Sequence, residues 1–352
     1  MGSASVRAGS GALGIGLVGA GGIARDRLVP GMRAIPGVEL IAVATRGLSS
    51  AEAAARELGF QRGTGSWRRV VEDPEVGAVV VATWPDTHAR VTLAALDAGK
   101  HVLTCGRMAM DVGEAGRMLA ASRARPDLVA MLVPGGFSLW ADRTLARLLG
   151  EGAIGQLRSV RLGWSGGVDV ADPWRLLRRY SGDNVMALGI VYEAMVRWLG
   201  RATDVSATLH LRTPWMPDRE GTPVPMDVPD LVHALAAFPG DVPAVLEMTG
   251  DPRPEPQACW FHGSEGTLRA DFGRRHLDVH RPGDPATRWT RTPVPPGERV
   301  RWRVEAEFVA AIREGAPVTL VDFETGWHGM AFTTAVHESA RRGQRVEVPV
   351  TA

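Results

Sequence analysis

At 352 residues and a net charge of +1, the chain is long enough for two cores and lacks the basic excess of a nucleic-acid or anionic-membrane binder. No apolar run reaches the roughly 18 residues needed to span a bilayer, and no secretory pattern opens the sequence. Two cysteines, Cys105 and Cys259, cannot make a disulfide framework, so a reducing, cytoplasmic location is expected.

Residues 1–12 are small and Gly/Ser-rich, and are expected to be disordered. Leu13–Val18 is a short apolar strand that runs into Gly19-Ala20-Gly21-Gly22-Ile23-Ala24 and then a helix to about Ile35. A second strand, Val38–Thr45, is followed by helices at Ser50–Leu58 and Trp67–Glu72. Val76–Ala82 is a continuous β-branched run, as in a strand buried on both faces of a parallel sheet. Helix Thr87–Ala98, strand His101–Thr104, helix Val112–Arg123 and strand Leu128–Val133 complete an alternation that means βαβ units. Residues 13–134 therefore read as an α/β Rossmann domain.

Residues 135–352 read as an α+β domain with a large, mostly antiparallel open sheet. A helix at Trp140–Glu151 precedes strand Gln156–Trp164, a loop, and a helix from about Asn184 to Leu199. Strands broken by Pro/Gly turns fill Val205–Val294. Helices at Arg303–Glu314 and Glu324–Arg342 end the chain, and the second is expected to pack back on the first domain.

The glycine cluster carries the first functional signal. Gly19 permits a tight turn, Gly21 lets backbone approach a pyrophosphate, and small Ala24 lets the helix pack on its strand. Gly19, Ala20, Gly21, Gly22 and Ile23 are thus candidate dinucleotide contacts at a helix N-terminus. An NAD-binding strand of this kind usually ends in Asp or Glu about 20 residues past the glycines, holding the ribose 2′-hydroxyl. Here it ends in Thr45-Arg46. A guanidinium suits a 2′-phosphate, so NADP(H) is expected over NAD(H). Ligands in such sheets bind beyond the strands' carboxyl ends, which brings in Thr83, Trp84 and His88.

In ordered combination, these pieces resemble the glucose–fructose oxidoreductase, inositol dehydrogenase and MocA (Gfo/Idh/MocA) family over about Leu13–Val348. The likeness rests on Gly19–Ala24, on Ala94 and Leu96 with Ala98-Gly99-Lys100-His101-Val102-Leu103, and on Gly152-x-Ile154-Gly155. It continues in Ala187-Leu188-Gly189-Ile190, Gly263-Ser264-Glu265-Gly266-Thr267-Leu268, and Glu307-Phe308 with Ala311-Ile312-Arg313. The resemblance implies a sheet whose one face covers the nicotinamide and whose other face forms a homodimer or homotetramer interface.

Departures from the family pattern matter as much. A Glu-Lys-Pro tripeptide, whose lysine exchanges the substrate proton, normally follows the Gly-Lys-His-Val segment. This chain has Cys105-Gly106-Arg107, with Gly106 in the lysine's place. The family's Asp-x-Gly-x-His becomes Ala187-Leu188-Gly189-Ile190-Val191, so Ala187 and Val191 replace the ionisable pair. Lys100 is the sole lysine and precedes its strand, at the wrong end of the sheet for the crevice.

Replacement candidates are few. Arg107 could clamp an anionic group, and Cys105 would need activation as a nucleophile. Tyr180 could supply a proton if its pKa were lowered, and Glu193 lies about 100° round the helix from Tyr192, a packing aromatic. Trp84, Trp164 and Trp174 could form an aromatic wall, with Trp174, Asn184, Ala187 and Val191 lining a substrate pocket drier than the family norm. No metal-ligand spacing is found.

The expected function is an NADP(H)-dependent oxidoreductase acting on a small carbonyl, imine or alcohol, with a non-standard proton donor. A preformed iminium would need no proton when hydride arrives. The alternatives are a non-redox lyase, isomerase or cyclase on the same scaffold, and a non-catalytic NADP-binding protein.

Overall fold

The computed structural model describes residues 11–166, 173–218 and 220–351. Of the opening segment expected to be disordered, residues 1–12, all but Gly11 and Ala12 lie outside the described residues, as does the loop centre at 167–172. The chain folds as two compact units. One holds the described residues up to Ala109, with Gly113–Pro134 and Arg303–Glu324; the other holds Met110–Val112, Gly135–Trp302 and the described residues from Thr325.

The first unit is a six-stranded parallel sheet of β1 (Leu13–Val18), β2 (Val38–Ala44), β3 (Arg62–Thr64), β4 (Ala78–Val81), β5 (His101–Cys105) and β6 (Ala130–Val133). Their order β3-β2-β1-β4-β5-β6 is the doubly wound arrangement, with the change of direction between β1 and β4. Crossovers run through α1 (Val29–Arg33), α2 (Leu48–Leu58), α3 (Trp67–Val71), α4 (Pro85–Asp97) and α5 (Val112–Ala124). Every residue of β4 is buried, which explains a run with no polar alternation. The first helix opens with a wider π turn, Ala24–Leu28, a detail periodicity does not encode.

The second unit carries α6 (Asp142–Gly150), β7 (Leu157–Ser165), α7 (Arg178–Ser181), α8 (Leu188–Leu199) and β8 (Asp204–His210). A small ribbon, β9 (Trp215–Pro217) and β10 (Pro223–Pro225), precedes β11 (Leu231–Phe238), β12 (Val242–Thr249), β13 (Ala258–Gly263), β14 (Thr267–Asp271), β15 (His276–His280) and β16 (Thr290–Thr292). After α9 (Val304–Glu314) and α10 (Phe323–Arg342), β17 (Val346–Glu347) closes a nine-stranded sheet. Its order is β16-β15-β14-β13-β7-β12-β11-β8-β17, and only β7 with β12 is parallel.

In β11, Val232, Ala234, Ala236 and Phe238 point into the main core while His233 and Leu235 point out. α8 lays Leu188, Val191, Tyr192 and Met195 on that core, and Phe332, Ala335 and Val336 of α10 complete it. Burying a Leu, Val, Met or Phe side chain here contributes roughly 1.5–3 kcal/mol, so α10 belongs with this sheet. The helix that groups with the first unit is α9. Its Arg313 donates to the carbonyl oxygens of Pro36 (2.8 Å) and Gly37 (2.6 Å).

Candidate active site

The turn after β1 is held by a hydrogen bond from Gly19 N–H to Ala44 O at 2.9 Å. Gly19 has φ +92°, and a Cβ built there would lie 2.6 Å from Ala82 O and 2.8 Å from Thr83 Cγ2. Only glycine fits. At Gly21, by contrast, a Cβ would meet nothing within 4 Å. The outer side of the turn is open where a pyrophosphate would approach, and Ala24 is fully buried on the sheet side. Arg25 Nε donates to Ala20 O at 2.8 Å, fixing the turn from the helix, while Gly22 and Ile23 stay exposed. These residues fit a dinucleotide.

At the end of β2 the Thr45 hydroxyl lies 2.6 Å from the Ser50 hydroxyl, and Ser50 Oγ also donates to Gly47 O at 2.9 Å. Gly47 caps α2, whose first turn holds no acidic residue. The Arg46 guanidinium lies 4.9 Å from the Trp84 ring centroid, a cation–π pair that joins the β2 and β4 ends. Asp86, in the first turn of α4, feels Arg90 and Arg46, yet burial outweighs both and pushes its carboxyl up. Sequence reasoning missed Ser50 and Asp86, since neither belongs to a motif and both act through neighbours in space.

His88 is buried between two backbone carbonyls, Thr83 O at 3.0 Å from Nε2 and Arg107 O at 2.9 Å from Nδ1. It therefore links the β4 and β5 ends through both ring nitrogens. Cys105 is buried, and burial pushes its thiol up to about 12. A protonated, enclosed thiol is no nucleophile, so the catalytic expectation for Cys105 is withdrawn. Arg107 is also buried. Lys100 Nζ donates to Asp73 O (3.0 Å) and Val76 O (2.6 Å), at the amino end of β5 as expected.

In the second unit, Ala187 caps α8, half-buried against the core. Val191 has no exposed surface and sits in that core, so it does not line a pocket. Asn184 is buried, its amide donating to Ser181 O at 2.6 Å. Tyr192 is the packing aromatic anticipated: it stacks on Phe332 at 4.0 Å, accepts Ala202 N–H at 2.9 Å, and burial pushes its phenol up to about 12. Glu193, expected as a reacting or surface carboxylate, is instead buried against α10, where a Cβ on Gly329 would lie 3.2 Å from its Oε1. Catalysis by Glu193 is withdrawn.

Tyr180, in α7, packs its half-buried ring on Leu176, Leu177, Met216 and Met226, with Arg179 over its face at 4.9 Å. Trp174 carries Arg175 over its ring at 4.4 Å, and Trp164 meets Phe137 edge-on at 4.8 Å. Each tryptophan of the expected wall thus has its own local partner.

Two family models match, the oxidoreductase family with an NAD-binding Rossmann fold over residues 13–132 and the GFO/IDH/MocA C-terminal domain over residues 143–269, together most of the chain. The chain belongs to the Gfo/Idh/MocA family. Levoglucosan dehydrogenase of Pseudarthrobacter phenanthrenivorans is 28% identical, with 90% of each chain covered. Trans-1,2-dihydrobenzene-1,2-diol dehydrogenase of Danio rerio is 32% identical over 50% of this chain and 52% of that one. A solved levoglucosan dehydrogenase, in complex with NADH and L-sorbose, superposes with TM-score 0.82 at 26% identity, covering 96% of this chain and 99% of the other. This Gfo/Idh/MocA chain is accordingly an enzyme, an oxidoreductase with an NAD(H)-type Rossmann fold, and no helix among its described residues is long and apolar enough to cross a membrane.

Proposed function

We propose that the chain is an NADP(H)-dependent oxidoreductase acting on a small carbonyl, imine or alcohol less polar than a sugar. The observation that carries the cofactor choice is the end of β2. Arg46 is braced on Trp84, the Thr45 and Ser50 hydroxyls are paired, and the first turn of α2 has no carboxylate to repel a 2′-phosphate. A bound NADP(H) supplies the hydride at its nicotinamide. The protein's part is to hold the pyrophosphate at Gly19–Ile23 and the 2′-phosphate at Thr45-Arg46.

Proton handling separates this chain from its family. Gly106, Ala187 and Val191 stand where the resemblance implies Lys, Asp and His, while Cys105, Tyr192 and Glu193 are enclosed. Tyr180 or water is left to exchange a proton with an alcohol or carbonyl. Reduction of a preformed iminium removes that demand, because hydride adds to carbon and the C=N electron pair returns to nitrogen. For this reason we favour imines basic enough to be protonated by solvent and to reach the site as iminium ions. The experiment follows NADPH absorbance at 340 nm over cyclic imines, aldehydes and keto sugars; oxidation with an imine is expected. Conversion of a substrate with no absorbance change would overturn the redox reading.

We place the enzyme in the cytoplasm as a homo-oligomer assembled through the outer sheet face. Leu235 and Val245, cross-strand partners on β11 and β12, are 60% and 46% exposed beside a depression of about 350 Å³. Such an apolar pair suits burial against a second copy.

A further inference from the structure

His88 sits one turn inside α4 with 1% of its surface exposed, and both ring nitrogens face oxygen atoms that can only accept. Thr83 O belongs to the segment following β4, Arg107 O to the turn following β5. A neutral imidazole has one N–H, so it can donate to only one of the two carbonyls. The imidazolium donates to both.

The two segments are not equivalent bystanders. Thr83 walls the glycine turn, since its Cγ2 and the adjoining Ala82 carbonyl are what a Cβ on Gly19 would strike. The Thr83 hydroxyl also accepts from Thr87 Oγ1 at 2.8 Å, tying this segment to the first turn of α4. On the other side, Arg107 follows Gly106, so the same ring holds the turn that stands in place of the family's Glu-Lys-Pro tripeptide. One side chain spans the phosphate turn and the emptied catalytic turn.

We propose that His88 is a positioning residue whose protonation state sets the spacing between the Thr83 segment beside the glycine turn and the Cys105–Gly106–Arg107 turn. Protonated, it grips both carbonyls; neutral, it grips one and opposes a lone pair to the other, and that segment relaxes. Burial is the largest influence on the ring and holds it below the usual histidine range, and the Arg107 charge acts in the same direction. The carbonyls of Thr83, Arg107 and Met108 pull the other way. Cys105, in the same turn, stays an uncharged thiol. The neutral, one-handed state therefore prevails at pH 7, and acidification tightens the pair.

The test starts with the ligand-free protein. Ring ¹⁵N resonances, assigned by difference with His88→Asn, are followed from pH 8 to pH 5 together with the backbone amides of Trp84 and Gly106. The amide of the segment that the neutral ring releases is expected to move with the midpoint of the His88 ring, and neither amide should titrate in His88→Gln. Movement of neither amide with the ring, or the same titration persisting in His88→Gln, would overturn the proposal. In a second arm, NADPH and NADH are titrated by fluorescence from pH 5.5 to pH 8. Whichever binds should bind roughly three- to ten-fold more weakly to folded His88→Gln, with a flattened pH profile. Wild-type affinity and an unchanged profile in that variant would leave His88 a packing residue. Failure of both nucleotides to bind the wild type would count against the cofactor reading instead, with His88 still decided by the first arm.

Discussion

Alanine at Gly19 and at Gly21 should produce two different failures. At Gly19 the backbone has φ +92°, where an L-residue costs roughly 1–2 kcal/mol. Its Cβ would sit 2.6 Å from Ala82 O and 2.8 Å from Ala82 C, backbone atoms just beyond β4 that cannot swing aside. Overpacking of this kind adds about 1–3 kcal/mol. Gly19→Ala should therefore lose about 2–5 kcal/mol of stability, and the displaced turn should lose cofactor as well. Gly21→Ala meets no atom within 4 Å and has no left-handed backbone, so its melting temperature should stay within about 2 °C of wild type. Its methyl group nevertheless occupies the side from which a pyrophosphate approaches. An affinity loss of about 1.5–3 kcal/mol, roughly 10- to 150-fold, is expected. Differential scanning fluorimetry and NADPH titration read the two quantities separately. Equal stability of the two variants, or wild-type cofactor affinity in Gly21→Ala, would refute the cradle as described.

Arg46→Ala should weaken NADPH about tenfold, the low end for a charged hydrogen bond because this guanidinium is exposed, and leave NADH nearly unchanged in parallel titrations. Equal losses for both nucleotides would remove the 2′-phosphate assignment. Cys105→Ser should keep cofactor affinity and any turnover within about twofold, since the thiol is already protonated and enclosed; loss of turnover in a folded variant would restore Cys105 as a reacting group. Acidification should destabilise the fold from the histidine side. Burial holds His101 below the usual range, and its Nδ1 accepts the Val129 N–H at 2.9 Å, a bond the imidazolium cannot accept. The unfolded chain thus binds more protons, so this stability is present above about pH 6.5 and lost as pH falls through the lower folded value. Melting temperatures at pH 7.5 and pH 5.5 check it, with a smaller drop expected in His101→Gln and a rise on acidification contradicting it.

Much of the first unit was legible because its signals are local. A glycine turn after an apolar strand, an unbroken β-branched run and a Thr-Arg strand end each report their own surroundings. The open sheet was legible from alternation such as that of β11, but not its order, which pairs β7 with β12 and β13 across long stretches of chain. The errors lay in α8. Its run Leu188–Leu199 is apolar on nearly all sides, so sequence could not tell which face met α10, and Glu193 looked like a reacting group when Gly329 had made room to bury it. Val191 was misjudged likewise, its matched position suggesting a pocket where packing made core. Arg46 on Trp84 and Thr45 beside Ser50 are spatial pairs that strengthen the cofactor expectation but could not be read before the strand ends were brought together.

The most direct measurement is a paired calorimetric titration of the wild-type protein with NADPH and NADH in one buffer at one ionic strength. The account predicts NADPH bound about tenfold more tightly, through a 2′-phosphate held at Thr45-Arg46. Equal or tighter binding of NADH would contradict it.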